Sequence, residues 1–329
     1  MGALAVLGAG AWGTAIVVTL APRHEVRLWA RDAAHAEAIQ RDRRNARYLP
    51  EIPLPAQVAA TADLAAAIKD VDLLIAATPV SGLRDACRRL VAGGAAAPLV
   101  WLCKGFEQDT GLLPHQIVRA ELGERYPCAA LSGPSFALEV ARGLPCALTL
   151  ASEDGELART LAAQLHGARM RVYHGSDVIG VEIGGAVKNV LALAVGISDG
   201  LGLGQNARAA LITRGLAEIT RLGLALGALP ETLMGLACAG DLILTATGDL
   251  SRNRRVGLEL ARGRRLEEIV ASLGHVAEGV RSAAEVAKLA ARHGVPMPIS
   301  DAVNAVLVGR LSAPQAVESL LARAAKGEA

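Results

Sequence analysis

Lys188 sits in a setting that demands a reason. It lies in Val181-Glu182-Ile183-Gly184-Gly185-Ala186-Val187-Lys188-Asn189, within a long apolar run that reads as a helix. Burying an ammonium among Ile183, Val187, Leu191 and Leu193 is costly unless the charge is paired or used. Desolvation also moves a lysine toward the range where it can give up and retake a proton. The chemistry implied is general acid–base catalysis. Glu182 lies nearly two turns away and is no obvious helical partner. Asp241 follows Cys238-Ala239-Gly240, and Thr245 comes one turn later. Asp241 either caps a helix or positions Lys188 if the fold brings them together.

A second cluster is Ser251-Arg252-Asn253-Arg254-Arg255, read as preceding a helix over Arg255–Arg262. A hydroxyl, an amide and a planar cation suit a phosphate dianion, because Arg donates as a fork. The plain alternative is a solvated basic turn. No aromatic residues interleave these arginines, which speaks against nucleic acid. Lys104 closes the apolar run before Gly105, where a strand end would aim it into a ligand crevice. It could equally snorkel at the surface. Ser132-Gly133-Pro134-Ser135-Phe136-Ala137 reads as a turn that offers N–H groups and a hydroxyl, with Ser135 as N-cap of a helix from Ala137.

Gly8-Ala9-Gly10-Ala11-Trp12-Gly13 follows the apolar run Ala3–Leu7. A secretory leader needs a basic stretch first, and no Lys or Arg precedes Arg23. The spacing fits a buried strand, a glycine turn and a helix over Ala11–Leu20. Gly8 permits the tight turn, Gly10 admits a pyrophosphate, and Gly13 lets helix and strand approach. The helix N-terminus then faces the anion. Gly200-Leu201-Gly202-Leu203-Gly204 is a near-match without a preceding strand and reads as a loop. Arg31 lies about 20 residues past the glycine turn, where an Arg accommodates a ribose 2′-phosphate and favours NADPH. The adjacent Asp32 leaves NADH possible.

Positioning these residues takes two kinds of architecture. Apolar runs at Ala3–Leu7, Glu25–Ala30, Leu73–Ala77, Leu99–Cys103, Ala129–Leu131, Ala147–Ala151 and Met170–Tyr173 read as strands, with a helix over Ala33–Arg43 among those between them. Strands alternating with helices mean βαβ units and a mostly parallel sheet. Arg31, Thr78, Lys104 and Ser132 fall at strand ends, where such sheets bind ligands. After about Ser176 the pattern turns helical. Helices are expected over Val178–Ile197, Arg208–Leu226, Arg255–Arg262, Leu266–Leu273, Ser282–His293, Ser300–Val308 and Ala313–Ala325. The last carries a capping box, Ser312 with Gln315. The expectation is therefore an α/β fold: a Rossmann-like doubly wound domain over 1–175, then an all-α domain over 176–329, with substrate between them.

The chain has 329 residues, 52% of them hydrophobic but only 2% aromatic, so its core must be packed from Ala, Leu, Val and Ile. A net charge of +2 gives no electrostatic reason for a nucleic-acid or membrane partner. Cys87, Cys103, Cys128, Cys146 and Cys238 form no C-x-x-C pair and read as buried free thiols of a reducing cytosol. The seven His show no metal-ligand spacing, so no structural metal is expected.

Taken together, the segments resemble the bacterial NAD(P)-dependent glycerol-3-phosphate dehydrogenase family. They are GAGAWGTA at 8–15, NARYLP at 45–50, CKGFE at 103–107, SGPSFA at 132–137, GVEIGGAVKN at 180–189, AGDLILT at 239–245, LSRNRRVG at 250–257 and AEGVRSA at 277–283. The resemblance implies that Lys188 is the catalytic proton donor and acceptor. It implies substrate contacts from Lys104, Gly133, Ser135, Asp241, Ser251, Arg252 and Asn253. It implies cofactor contacts from Trp12, Arg31, Tyr48, Lys104, Ala137, Arg252, Val276 and Glu278, beside the turn of Gly8, Gly10, Ala11 and Gly13. A cytoplasmic homodimer acting on a small phosphorylated substrate, in glycerophospholipid synthesis, is the further implication. Many members carry Ser where this chain has Ala11; the backbone N–H remains but a hydroxyl near the phosphates is lost. Two other readings are a related two-domain hydroxy-acid reductase and a non-catalytic NADPH-binding sensor.

Overall fold

The computed structural model describes residues 2–273 and 277–323. Among these, the strands are β1 (Ala3–Leu7), β2 (Glu25–Trp29), β3 (Arg44–Asn45), β4 (Leu49–Pro53), β5 (Ala59–Thr61), β6 (Leu73–Ala76), β7 (Leu99–Trp101), β8 (Cys128–Ser132), β9 (Cys146–Ala151) and β10 (Met170–Gly175). The helices between them are α1 (Ala11–Leu20), α2 (Ala33–Asp42), α3 (Leu64–Ile68), α4 (Val80–Ala92), α5 (Pro114–Leu122), α6 (Ala137–Ala141) and α7 (Gly155–Leu165). The chain divides into two compact units, Met1–Glu182 and Ile183–Ala329.

In the first unit the sheet order is β10-β9-β8-β7-β6-β1-β2-β5. Neighbours are parallel except β8 and β9. β1 lies inside, with Leu4 opposite Val26 on one side and Leu73 on the other. Burial on both faces explains why β1 and β6 read as unbroken apolar runs rather than alternating ones. Strand order reverses between β1 and β6, the switch point at which doubly wound sheets open a ligand crevice. β3 and β4 pair as a separate antiparallel hairpin. They were not anticipated, because a two-residue strand and a proline-bounded one carry too little periodicity to read. β7 ends at Trp101, not Cys103, so Lys104 sits in the following loop.

The second unit is helical throughout its described residues. α8 (Val178–Gly200) enters it, followed by α9 (Gly204–Ala225), α10 (Pro230–Leu233), a π-helical turn (Leu236–Gly240), α11 (Asp241–Thr247) and α12 (Arg252–Ala261). Then come α13 (Leu266–Leu273), α14 (Glu278–Arg292), α15 (Pro298–Leu307) and α16 (Ala313–Leu321). α8 is apolar on every face because nearly all of it is buried in protein, though its length and hydropathy would also fit a membrane span. The glycines at 200–204 form the link between α8 and α9. Ser312 and Gln315 make the expected capping box at α16. The expected helix at 255 instead starts at Arg252: the Ser251 hydroxyl accepts from Arg254 N at 3.2 Å and caps it. Arg252 and Asn253 therefore stand in the first turn of α12, not before it.

Candidate active site

In the first unit, the three glycines of the N-terminal turn answer to three different causes. Gly8 has φ +119°, a conformation that side chains resist. A Cβ on Gly13 would lie 2.0 Å from the Gly8 carbonyl oxygen, so α1 packs on the turn only without one. Gly10 has φ −80° and nothing within 4 Å of where a Cβ would stand. Neither backbone nor packing requires glycine there. The open space beside a helix N-terminus is what a pyrophosphate would fill, so the residues fit a dinucleotide.

Some of the residues expected at this cofactor site share one cluster beside the turn. Ala11, Trp12 and Ala137 pack against one apolar cluster that includes Ala15, Leu49 and Val140. Tyr48 is exposed, edge-on to His35 at 5.8 Å, with the Arg47 guanidinium 5.2 Å from its ring. Arg31 is exposed just beyond β2, and Asp32 caps α2 by accepting from His35 N. Val276 lies outside the described residues.

Lys104, Gly133 and Ser135 also meet. The Gly133 carbonyl accepts from Lys104 Nζ at 3.2 Å and from the Ser135 hydroxyl at 2.9 Å. Ser135 is not the expected cap. α6 takes the extended Phe136 as its N-cap, and the Ser135 side chain folds back on its own turn instead. Beside Lys104 a small cavity is lined by Trp101, Cys103, Ser132 and Glu182. Glu182 is buried, accepts from His115 N at 2.8 Å and pairs with His115 Nδ1; burial holds its carboxyl above the usual range.

In the second unit, Lys188 is only 6% exposed, yet its charge is matched. Nζ donates to Asp241 Oδ1 at 2.6 Å and to Thr245 Oγ1 at 2.7 Å. Asp241 is 2% exposed and opens α11, so Asp241 and Thr245 share a face one turn apart. The π-helical turn before α11 sets the rotation of that face, and Gly184 admits it: a Cβ there would stand 2.4 Å from the Cys238 Cβ. Thr245 was not among the expected site residues. Its signal was the spacing of four from Asp241.

Ser251, Arg252 and Asn253 stand at the N-cap and first turn of α12. Asn253 is more committed than its sequence suggested. Its Nδ2 donates to Asn189 Oδ1 and its Oδ1 accepts from Gly279 N, both at 2.9 Å. Among the described residues its second amide hydrogen has no partner, which suits it to a ligand. Asn189 was missed, since a lone amide carries little sequence signal. Glu278 opens α14 with Oε2 buried and without a hydrogen-bond partner among the described residues; burial raises its carboxyl. Such an acceptor is suited to a ligand hydroxyl.

None of the five cysteines forms a disulfide. Cys87 and Cys238 are buried, with thiols pushed up to about 12 by burial. Cys103, Cys128 and Cys146 are only partly buried, because they stand at strand ends and edges rather than within the core.

Residues 3–158 match the NAD-dependent glycerol-3-phosphate dehydrogenase N-terminus, and residues 177–318 the C-terminus of the same family. A glycerol-3-phosphate dehydrogenase (NAD(P)+) of Dechloromonas aromatica is 57% identical over 325 residues, covering 99% of each chain. That of Methylibium petroleiphilum is 59% identical, covering 99% of this chain and 98% of its own. Among solved structures, glycerol-3-phosphate dehydrogenase from Coxiella burnetii superposes with a TM-score of 0.93 at 43% identity, covering 98% of this chain and 99% of its own.

Proposed function

The chain belongs to the NAD-dependent glycerol-3-phosphate dehydrogenase family, and on that premise we infer that it interconverts sn-glycerol 3-phosphate and dihydroxyacetone phosphate with NADP(H) or NAD(H). The observation that carries the assignment of roles is the buried lysine with its carboxylate and hydroxyl partners. When bound, the nicotinamide supplies or accepts the hydride at C2. Lys188 gives a proton to the C2 oxygen as the alkoxide forms and retakes it in reverse. Asp241 and Thr245 fix where Nζ points. Lys104 and the turn of Gly133 and Ser135 orient the substrate. Ser251, Arg252 and Asn253 take the phosphate dianion, with the α12 N-terminus adding its dipole.

Gly8, Gly10, Ala11 and Gly13 would cradle the pyrophosphate, with Trp12, Tyr48, Ala137, Val276, Glu278, Lys104 and Arg252 as further cofactor contacts. Arg31 at the end of β2 favours NADPH through a 2′-phosphate. The first domain thus supplies the pyrophosphate cradle, and the helical domain supplies Lys188, the phosphate cluster and further cofactor contacts. The protein works in the cytoplasm as a homodimer, supplying glycerol 3-phosphate to phospholipid synthesis; its five reduced cysteines fit that compartment.

The test is steady-state kinetics of purified protein with dihydroxyacetone phosphate and a panel of 2-keto acids, each with NADPH and NADH. Turnover confined to the phosphorylated ketone, with lower KM for NADPH, is expected. Preference for a keto acid, or cofactor binding without turnover, would overturn the reading.

A further inference from the structure

Asn45 is fully buried at the end of β3, in the segment NARYLP, where the site described above uses only Tyr48. Its side chain reaches the glycine turn. Nδ2 donates to the Ala9 carbonyl at 2.9 Å and to Thr14 Oγ1 at 2.8 Å. Thr14, itself fully buried, passes the bond on, its hydroxyl donating to the Gly10 carbonyl at 2.8 Å. A carbonyl only accepts, so the amide face toward Ala9 must be the NH₂. Asn45 thus holds the Ala9 carbonyl directly, which His35 Nε2 also approaches at 3.4 Å, and it fixes the hydroxyl of Thr14, whose backbone N–H and hydroxyl both donate to the Gly10 carbonyl.

Those carbonyls decide where the neighbouring N–H groups point. In a planar trans peptide, C=O and N–H point in opposite directions. Holding the carbonyls of Ala9 and Gly10 aims the N–H groups of Gly10 and Ala11 the opposite way, away from Asn45 and Thr14. Donors fixed in advance bind an anion without a further ordering cost. Ala11 has no hydroxyl to offer, so the backbone donors carry the load at this position.

We propose that Asn45 is a positioning residue of the cofactor cradle, acting through Thr14 and the Ala9 and Gly10 carbonyls to aim the backbone donors at the pyrophosphate. The proposal rests on the reading that this turn holds the pyrophosphate. Asn45→Asp is nearly isosteric but opposes a carboxylate to the Ala9 carbonyl and places negative charge beside the anion. NADPH binding is measured by fluorescence titration at about pH 8 and about pH 6, together with melting temperature and the KM for dihydroxyacetone phosphate. Asn45→Asp should raise the Kd for NADPH about tenfold or more at the higher pH. Part of the loss should return at the lower pH, where a protonated carboxyl can donate to Ala9. Thr14→Val should weaken binding to a lesser degree and Thr14→Ser should not. The KM for dihydroxyacetone phosphate at saturating NADPH should stay within about twofold, since both side-chain hydrogen bonds of Asn45 lie at the turn.

Gly10→Val is the control, since it fills only open space. If it loses NADPH while Asn45→Asp and Thr14→Val bind normally, the role of Asn45 is wrong and the cradle stands. If Gly10→Val binds NADPH as well as wild type, the cradle itself lies elsewhere. A loss in Asn45→Asp and Thr14→Val matched by an equal rise in the KM for dihydroxyacetone phosphate would mean general loosening, and would also refute the proposal.

Discussion

A buried lysine was legible as a residue under strain of environment, with Asp241 only as a conditional partner. Lys188 pairs with Asp241, 53 positions away in the chain, and with Thr245. Removing the lysine leaves an uncompensated buried carboxylate, which typically costs about 3–5 kcal/mol. Lys188→Met should therefore lower turnover by roughly 10²–10⁴ and also lower the melting temperature. Adding Asp241→Asn should restore much of the stability and none of the turnover. A double variant that regains activity would remove Lys188 from the proton step. Arg252 tests the phosphate site separately. Arg252→Lys keeps the charge but loses the fork, so KM for dihydroxyacetone phosphate should rise roughly tenfold with a smaller change in kcat. An unchanged KM would place the phosphate elsewhere. Ser135 shows the opposite error, since a cap was expected and the hydroxyl bonds to Gly133 instead.

Elements with many apolar residues in register were readable, and short ones were not. The buried strands and long helices fall within a few residues of expectation because their burial repeats along the chain. The hairpin of β3 and β4, and the π-helical turn at 236–240, lack such repetition. Yet these short pieces do the positioning. The close approach of the π-helical turn to α8 depends on Gly184, whose absent side chain leaves room for Cys238. Gly184→Val should push the turn off α8 and move Asp241 away from Lys188. The expected result is a fall in kcat with little change in the KM for NADPH. If kcat survives while the protein stays folded, the approach is dispensable. α12 meets α8 as closely: a Cβ on Gly257 would lie 2.2 Å from the Leu193 carbonyl oxygen. That contact is what presents Ser251 and Arg252 on a rigid start of α12.

At the scale of the molecule, buried carboxylates govern the response to pH. Glu218 on α9 accepts from Ile299 N at 2.6 Å, Ser300 N at 3.1 Å and the Ser300 hydroxyl at 3.0 Å, so it caps α15. Burial nonetheless raises its carboxyl above the usual carboxylate range. For a raised group, the associated stability is full below the unfolded value and is lost as pH rises through the folded one. The melting temperature of wild type should therefore gain on that of Glu218→Gln as pH falls from about 7 to about 5. A constant difference across that range would show that Glu218 does not titrate there. Glu218→Gln should also cost about 1–3 kcal/mol throughout, since its NH₂ would face backbone donors. The linear chain already contained the fold class and the glycine turn, because periodicity and local spacing are properties of neighbours along the backbone. It could not contain the pairing of Lys188 with Asp241, the bonds from Asn253 to Asn189 and Gly279, or the grip of Asn45 on the turn. Each of these joins residues far apart in sequence, and only the packing of buried helices and strands brings such groups within hydrogen-bonding distance.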